Sequence, residues 1–191
     1  DPALASQALR EGIQTVIAEG NEAGGHVGAL TSVGLWESVL AVAQQHPGRR
    51  VVLAGGIGTV ATSAFARAMA ATAQLAGVRV ALQIGTAFFF THEAMESGQV
   101  TPALQQMALS TTETVLVGTT VNLALRCAPT PFTQSAQVLE RQWQSEGLTQ
   151  TRRRELLESH NKGRTRVAAK GIERNPTGES RYRRVSVRRQ M

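Results

Sequence analysis

His26 is the side chain of this chain most suited to moving a proton. It sits in Gly20-Asn21-Glu22-Ala23-Gly24-Gly25-His26-Val27-Gly28, a turn dense in glycine. Imidazole exchanges a proton near neutral pH. Glycine leaves no Cβ in the way of a ligand, so the backbone of such a turn can come close to a bound group. The turn therefore fits a cofactor loop carrying a base or hydrogen-bond donor. It also fits a tight surface loop with a solvated histidine, and the turn alone does not separate the two.

The elements around it narrow the choice. The apolar run Thr15-Val16-Ile17-Ala18 leads into the turn, and Leu35, Val39, Leu40, Val42 and Ala43 follow it at helical spacing. The same order recurs twice. Val51-Val52-Leu53-Ala54 runs into Gly55-Gly56-Ile57-Gly58, and Val80-Ala81-Leu82-Gln83-Ile84 runs into Gly85-Thr86, each followed by a helical segment. A period of roughly 30 residues is that of a βαβ unit. In (β/α) barrels such loops gather on one face and the late ones hold phosphate groups. Gly55, Gly56, Gly85 and Thr86 are the candidates for that task, through backbone N–H groups and one hydroxyl. The plainer account is ordinary βα turns, which favour glycine anyway.

The three motifs together, Glu22-Ala23-Gly24-Gly25-His26, Ala54-Gly55-Gly56-Ile57 and Gln83-Ile84-Gly85-Thr86-Ala87-Phe88, resemble the nitronate monooxygenase family, also called 2-nitropropane dioxygenase-like proteins. That family includes FMN-dependent enoyl-acyl-carrier-protein reductases. Gly24-Gly25-His26-Val27-Gly28 followed by Ser32, Leu35, Trp36 and Glu37 looks most like the version embedded in polyketide synthases. The resemblance covers about Gly12 to Thr133. It implies an α/β fold, the TIM-type (β/α) barrel, and a domain of about residues 1–145 that binds FMN. It implies Glu22, Gly24, Gly25, Gly55, Gly56, Gly85 and Thr86 as cofactor contacts, and His26 as the catalytic residue. For Glu22, a flavin contact and a carboxylate at a helix start stand as equal readings. The implied activity is nitronate oxidation, with His26 removing a proton alpha to nitrogen. Two rivals stand beside it. One is reduction of an enoyl thioester with NAD(P)H, with an acyl carrier domain as partner. The other is a non-catalytic barrel fragment used for docking.

Composition bounds the rest. The chain has 191 residues and 42% hydrophobic content, enough for a packed core. A (β/α)8 barrel typically takes about 250 residues, so a C-terminal portion lacking the first strands is expected. Cys127 is the single cysteine, so no disulfide can form within the chain. It is expected to be a small buried apolar residue and not a reactive thiol. His26, His46, His92 and His160 have no ligand spacing, and no metal site is expected. No apolar run reaches the ~18 residues of a membrane span, and a cytoplasmic setting is the default.

The net charge of +6 is uneven. Residues 1–145 carry 7 Lys+Arg and 9 Asp+Glu, a balance of −2, and residues 146–191 carry 13 and 5, a balance of +8. This basic tail is expected to hold a helix over Gln150–Ser159, to return to the body at Val167-Ala168-Ala169, and to be flexible from about Glu173. It could serve an acidic partner. Nucleic acid is disfavoured because Tyr182 is the only aromatic available for stacking. Further expectations are a fully buried strand over Ile13–Ala18, a helix over Leu35–Gln45, and packing of most of Phe88-Phe89-Phe90 beneath the loops. Pro129-Thr130-Pro131 is read as a turn, Asn122–Cys127 as irregular or helical, and Trp36 as core or interface.

Overall fold

The computed structural model describes residues 1–175, 181–186 and 189. The chain forms two compact units, Asp1–Ala87 and Phe88–Met191.

The first unit is a run of strand–helix repeats. Its elements are α1 (Pro2–Arg10), β1 (Thr15–Glu19), a two-residue extended piece β2 (Gly25–His26), α2 (Ser32–Ala43), β3 (Arg50–Ala54), α3 (Val60–Leu75) and β4 (Arg79–Gln83). β1, β3 and β4 form a parallel sheet in that order, with Ile17 opposite Val52 and Val52 opposite Ala81. Chain order and spatial order coincide, so the sheet is wound in one direction. A doubly wound sheet would reverse its order at a switch point.

One face of this sheet carries the core. Val51 and Leu53 are fully buried and pack with Ala18, Val16, Val80 and Leu82 from the neighbouring strands. Leu9 of α1 joins them, as do Leu35, Trp36, Val39, Leu40 and Ala43 of α2. From α3 come Ala66, Ala70 and Ala73, whose helical spacing and small size let that helix lie close. The alternate strand positions face the other way. Ile17 is 58% exposed, and Ala81 is also exposed. The expectation of a fully buried first strand is thus corrected: β1 is an edge strand with one covered face, and only Ala18 in it is buried.

Helix limits follow from capping. Thr31 caps α2 by accepting the Gly34 N–H, which starts the helix three residues before the expected Leu35. Thr59 and Thr62 form a reciprocal capping box at α3, and Gly77, with φ +86°, follows its end.

A 3-10 turn, Thr86–Phe90, carries the chain into the second unit. Phe88 and Phe90 are exposed, at 51% and 43%, which corrects the expected packing of this aromatic run. A tight turn with three residues per revolution cannot point consecutive rings to one side. The second unit continues with α4 (His92–Glu96), α5 (Pro102–Ser110), β5 (Val115–Val117), β6 (Leu125–Cys127), α6 (Pro131–Ser145), α7 (Gln150–Asn161), α8 (Arg164–Lys170), β7 (Ile172–Arg174) and β8 (Tyr182–Arg184). β5 and β6 pair antiparallel, so part of the stretch expected to be irregular or helical is a strand. Pro131 stands in the first turn of α6 behind the N-cap Thr130, where its missing N–H costs nothing. Glu140, only 3% exposed, organises this unit. Its carboxylate accepts the Gly118 N–H at 2.6 Å and the Thr120 hydroxyl at 3.1 Å. Arg153 of α7 donates to the carbonyls of Leu148 and Thr120.

Of the stretch expected to be flexible, Glu173 and Arg174 lie in β7, which pairs antiparallel with β8. Residues 176–180, 187–188, 190 and 191 lie outside the described residues. Among the described residues no helix is long and apolar enough to cross a membrane.

Trp36 is the densest packing decision in the first unit. It is 3% exposed, and its indole N–H is shared between the carbonyls of Ala18 and Ala54, each at 3.1 Å. Replacing it by Phe removes that shared donor and part of the buried ring. Trp36→Phe should lower unfolding free energy by about 2–4 kcal/mol in urea titrations. A loss below about 1 kcal/mol would show that the bond does not fasten the two strands.

Candidate functional site

Because β1, β3 and β4 are parallel, the three glycine loops leave the sheet at the same end. This is the geometry a shared ligand site at strand tips requires.

The bases of the first two loops are locked together. Gly20 follows β1 directly and Gly55 follows β3, and the Gly20 N–H donates to the Ala54 carbonyl at 3.0 Å. Ser32, the first residue of α2, lies across both. Its hydroxyl donates to the Gly55 carbonyl at 3.2 Å. A Cβ on Gly20 would lie 2.2 Å from Ser32 Cα, and one on Gly55 would lie 2.4 Å from Ser32 Oγ. Gly55 also has φ +106°, so both its space and its conformation demand glycine.

Glu22 belongs to the same fastening. Its Oε2 accepts the Ser32 N–H at 2.6 Å, so this carboxylate sits at a helix start. Its Cβ would come within 3.3 Å of a Cβ on Gly56, whose φ is +69°. Gly56 therefore has a packing role against Glu22 besides any ligand role. Asn21 closes the first loop at its neck: its N–H donates to the Leu30 carbonyl and its side-chain amide to the Gly28 carbonyl.

Beyond that neck the tip carries β2, Gly25–His26. Gly24 and His26 are exposed, and Cβ atoms built on Gly24, Gly25 or Gly28 would meet nothing within 4 Å. In the third loop Gly85 and Thr86 are exposed, and a Cβ on Gly85 also meets open space. Gly85 lies outside the left-handed region, so its glycine is explained neither by strain nor by the crowding of the folded chain. The structure thus separates the named residues into two sets. Gly55, Gly56 and Glu22 are engaged within the fold. Gly24, Gly25, His26, Gly85 and Thr86 lie in the open parts of the loops.

Two contributors escaped identification as site residues in the sequence. Ser32 entered as part of the resembling motif, and Trp36 as part of that motif and as core or interface. The available signal was positional: a glycine at the first residue after two successive strands, which invites a third element to cross them closely.

Elsewhere Cys127 is half-buried, and burial pushes its thiol up, against a smaller opposing effect of Arg126. That direction disfavours a thiolate nucleophile. Among the described residues no group of three or more His, Cys, Asp and Glu side chains gathers to hold a metal.

No family model matches the chain, and no curated protein matches it. Solved structures do. One is FabK from Thermotoga maritima, with a TM-score of 0.68 and 26% identity over 100% of this chain and 52% of that one. Another is a point mutant of the same FabK, with a TM-score of 0.57 and 30% identity over 72% of this chain and 40% of that one. The chain spans about half the length of the structures it matches.

The two kinds of glycine make opposite predictions. Gly20→Ala should destabilise the chain by about 3 kcal/mol or more, because the added carbon meets backbone that cannot yield. Gly24→Ala should stay within about 0.5 kcal/mol of the parent. Paired urea titrations test this, and equal stabilities would remove the close crossing as a structural constraint.

Proposed function

We propose that this chain is part of an FMN-dependent oxidoreductase of the (β/α) barrel type, with the flavin held at the loops after β1, β3 and β4. The observation that carries the proposal is the convergence of three glycine loops, in the order of the resembling family, at one end of a parallel sheet wound in a single direction. The sheet's second face supports the barrel reading. Ile17, Val52 and Ala81 lie at the register that a closed barrel turns inward.

The residues fit the cofactor. FMN ends in a phosphate, which backbone N–H groups at glycine turns hold without a side-chain charge. Gly55, Gly56, Gly85 and Thr86 are the residues we assign to it. Gly85 carries most weight, since the fold itself gives no reason for glycine there. Gly24 and Gly25 would admit the ring system past a tip free of side chains. Bound FMN would supply two-electron redox chemistry. His26 would hold or deliver a proton at a ring nitrogen facing the substrate, and Glu22 would keep the loop that carries it at a fixed height.

Between the two substrate classes we favour an enoyl thioester, reduced at the expense of NAD(P)H. The support is that both solved structures named above are FabK, which the reductase branch of the resembling family includes. Nitronate oxidation is the second reading, supported by the motifs alone. An acyl carrier domain would present the thioester on the first reading.

Anaerobic addition of NADPH to the FMN-loaded chain separates the two. Rapid loss of the flavin's visible absorbance is expected for the reductase. No bleaching, together with oxygen uptake on adding an alkyl nitronate, would replace it by the oxidase. A chain that takes up no FMN would leave the non-catalytic docking role. His26→Ala should lower turnover by about 10²–10⁴-fold while FMN affinity changes less than about twofold. Retained activity would remove His26 from the chemistry. Gly85→Val should weaken FMN retention without moving the melting temperature, and unchanged affinity would remove Gly85 from the phosphate site.

A further inference from the structure

The second unit contains a cleft of ≈ 710 Å³ whose wall is dominated by cations. Lys162, Arg164, Arg166, Arg174 and Arg189 line it. The only carboxylate among the described lining residues is Glu173. It is already engaged, by Arg183 at 2.6 Å and Arg189 at 2.9 Å. Lys162 and Arg174 form no ion pair among the described residues.

Two aromatic rings and a guanidinium stack along one side of the cleft. Phe132 and His160 stack with ring centroids 4.7 Å apart and planes 10° from parallel, and the Arg164 guanidinium lies 4.5 Å from the Phe132 centroid. Arg164 also donates to the Arg189 carbonyl. His160 is held in this stack, yet its Nε2 is buried and has no hydrogen-bond partner. Burial, and second the neighbouring charge of Arg189, lower the affinity of Arg164 for its proton.

We propose that this cleft binds the phosphate group of a small phosphorylated molecule. Guanidinium forks match phosphate oxygens in pairs, and a phosphate monoester carries nearly two negative charges. The volume exceeds that of inorganic phosphate and leaves room for an organic remainder. Nucleic acid is the poorer occupant. Sequence-tolerant strand binding needs aromatic faces on which bases stack. Phe132 is covered by His160 and Arg164, and Tyr182 by Arg166 at 4.8 Å and Arg181 at 5.5 Å. The proposal is independent of the flavin reading, since every lining residue belongs to the second unit.

Calorimetric titration of the whole chain with inorganic phosphate, against sodium chloride at matched ionic strength, tests it. Saturable binding is expected. The double variant Lys162→Gln/Arg174→Gln changes two exposed side chains and should fold normally, but should weaken phosphate binding by about tenfold or more. Binding that the double variant leaves unchanged would overturn the proposal by assigning the phosphate elsewhere, the glycine loops included. Heats no larger than those of chloride would also overturn it. So would a single-stranded oligonucleotide that binds the parent chain more tightly than phosphate does, with affinity falling steeply with salt.

Discussion

The crossing of Ser32 over Gly20 and Gly55 is the contact on which the first unit depends. Two strand ends and a helix start meet there with no space for a methyl group. The Trp36 indole N–H then bridges the Ala18 and Ala54 carbonyls of the same strands from one turn further along α2. Helix and sheet are therefore fastened at the end from which the loops depart. Rigidity at a loop's root and freedom at its tip are different physical needs. This arrangement meets the first with buried hydrogen bonds and the second by leaving Gly24, Gly25 and His26 outside the neck closed by Asn21.

Single-direction winding follows from the order of the strands. Each crossover helix returns on the same side, so α1, α2 and α3 share one core with the inner positions of β1, β3 and β4. The opposite positions are left without that cover. Ile17 there, at 58% exposure and in register with Val52 and Ala81, has no explanation in a two-layer sheet facing water. It suits a sheet that curves inward, where these side chains would form an interior layer.

Much of this was legible in the sequence because it is local. Strand, glycine turn and helix recur at one period, and threonine caps with glycine stops mark helix ends by short-range hydrogen bonding. What was illegible is what distance along the chain conceals. Glycine at positions 20, 55 and 85 looks alike in sequence. One is required by a crossing helix, one by crossing and backbone conformation together, and one by nothing in the fold. Glu22 stood between two readings because a carboxylate at a loop neck and one beside a ligand have the same neighbours in sequence. Only the Ser32 N–H at 2.6 Å shows which demand the folded chain makes on it. The strand over Leu125–Cys127 was missed because three residues give no period to read. Edge exposure in β1 was missed because β-branched residues mark strands without marking which faces are covered.

Charge separates the two units by a different logic. Glycine loops that hold a phosphate through backbone N–H groups need no cations, and the first unit, residues 1–87, balances 5 Lys+Arg against 5 Asp+Glu. In the basic excess at the other end, several described side chains are held by contacts. Arg153 ties α7 to a buried turn, Arg164 and Arg166 lie over aromatic rings, and Arg183 and Arg189 share one carboxylate. Ordering long cationic side chains in one place costs both conformational entropy and mutual repulsion. A solvated face would avoid both by letting them spread. Among the described residues Lys162, Arg164, Arg166, Arg174 and Arg189 gather on one cleft, and that gathering is what the proposed phosphate would offset.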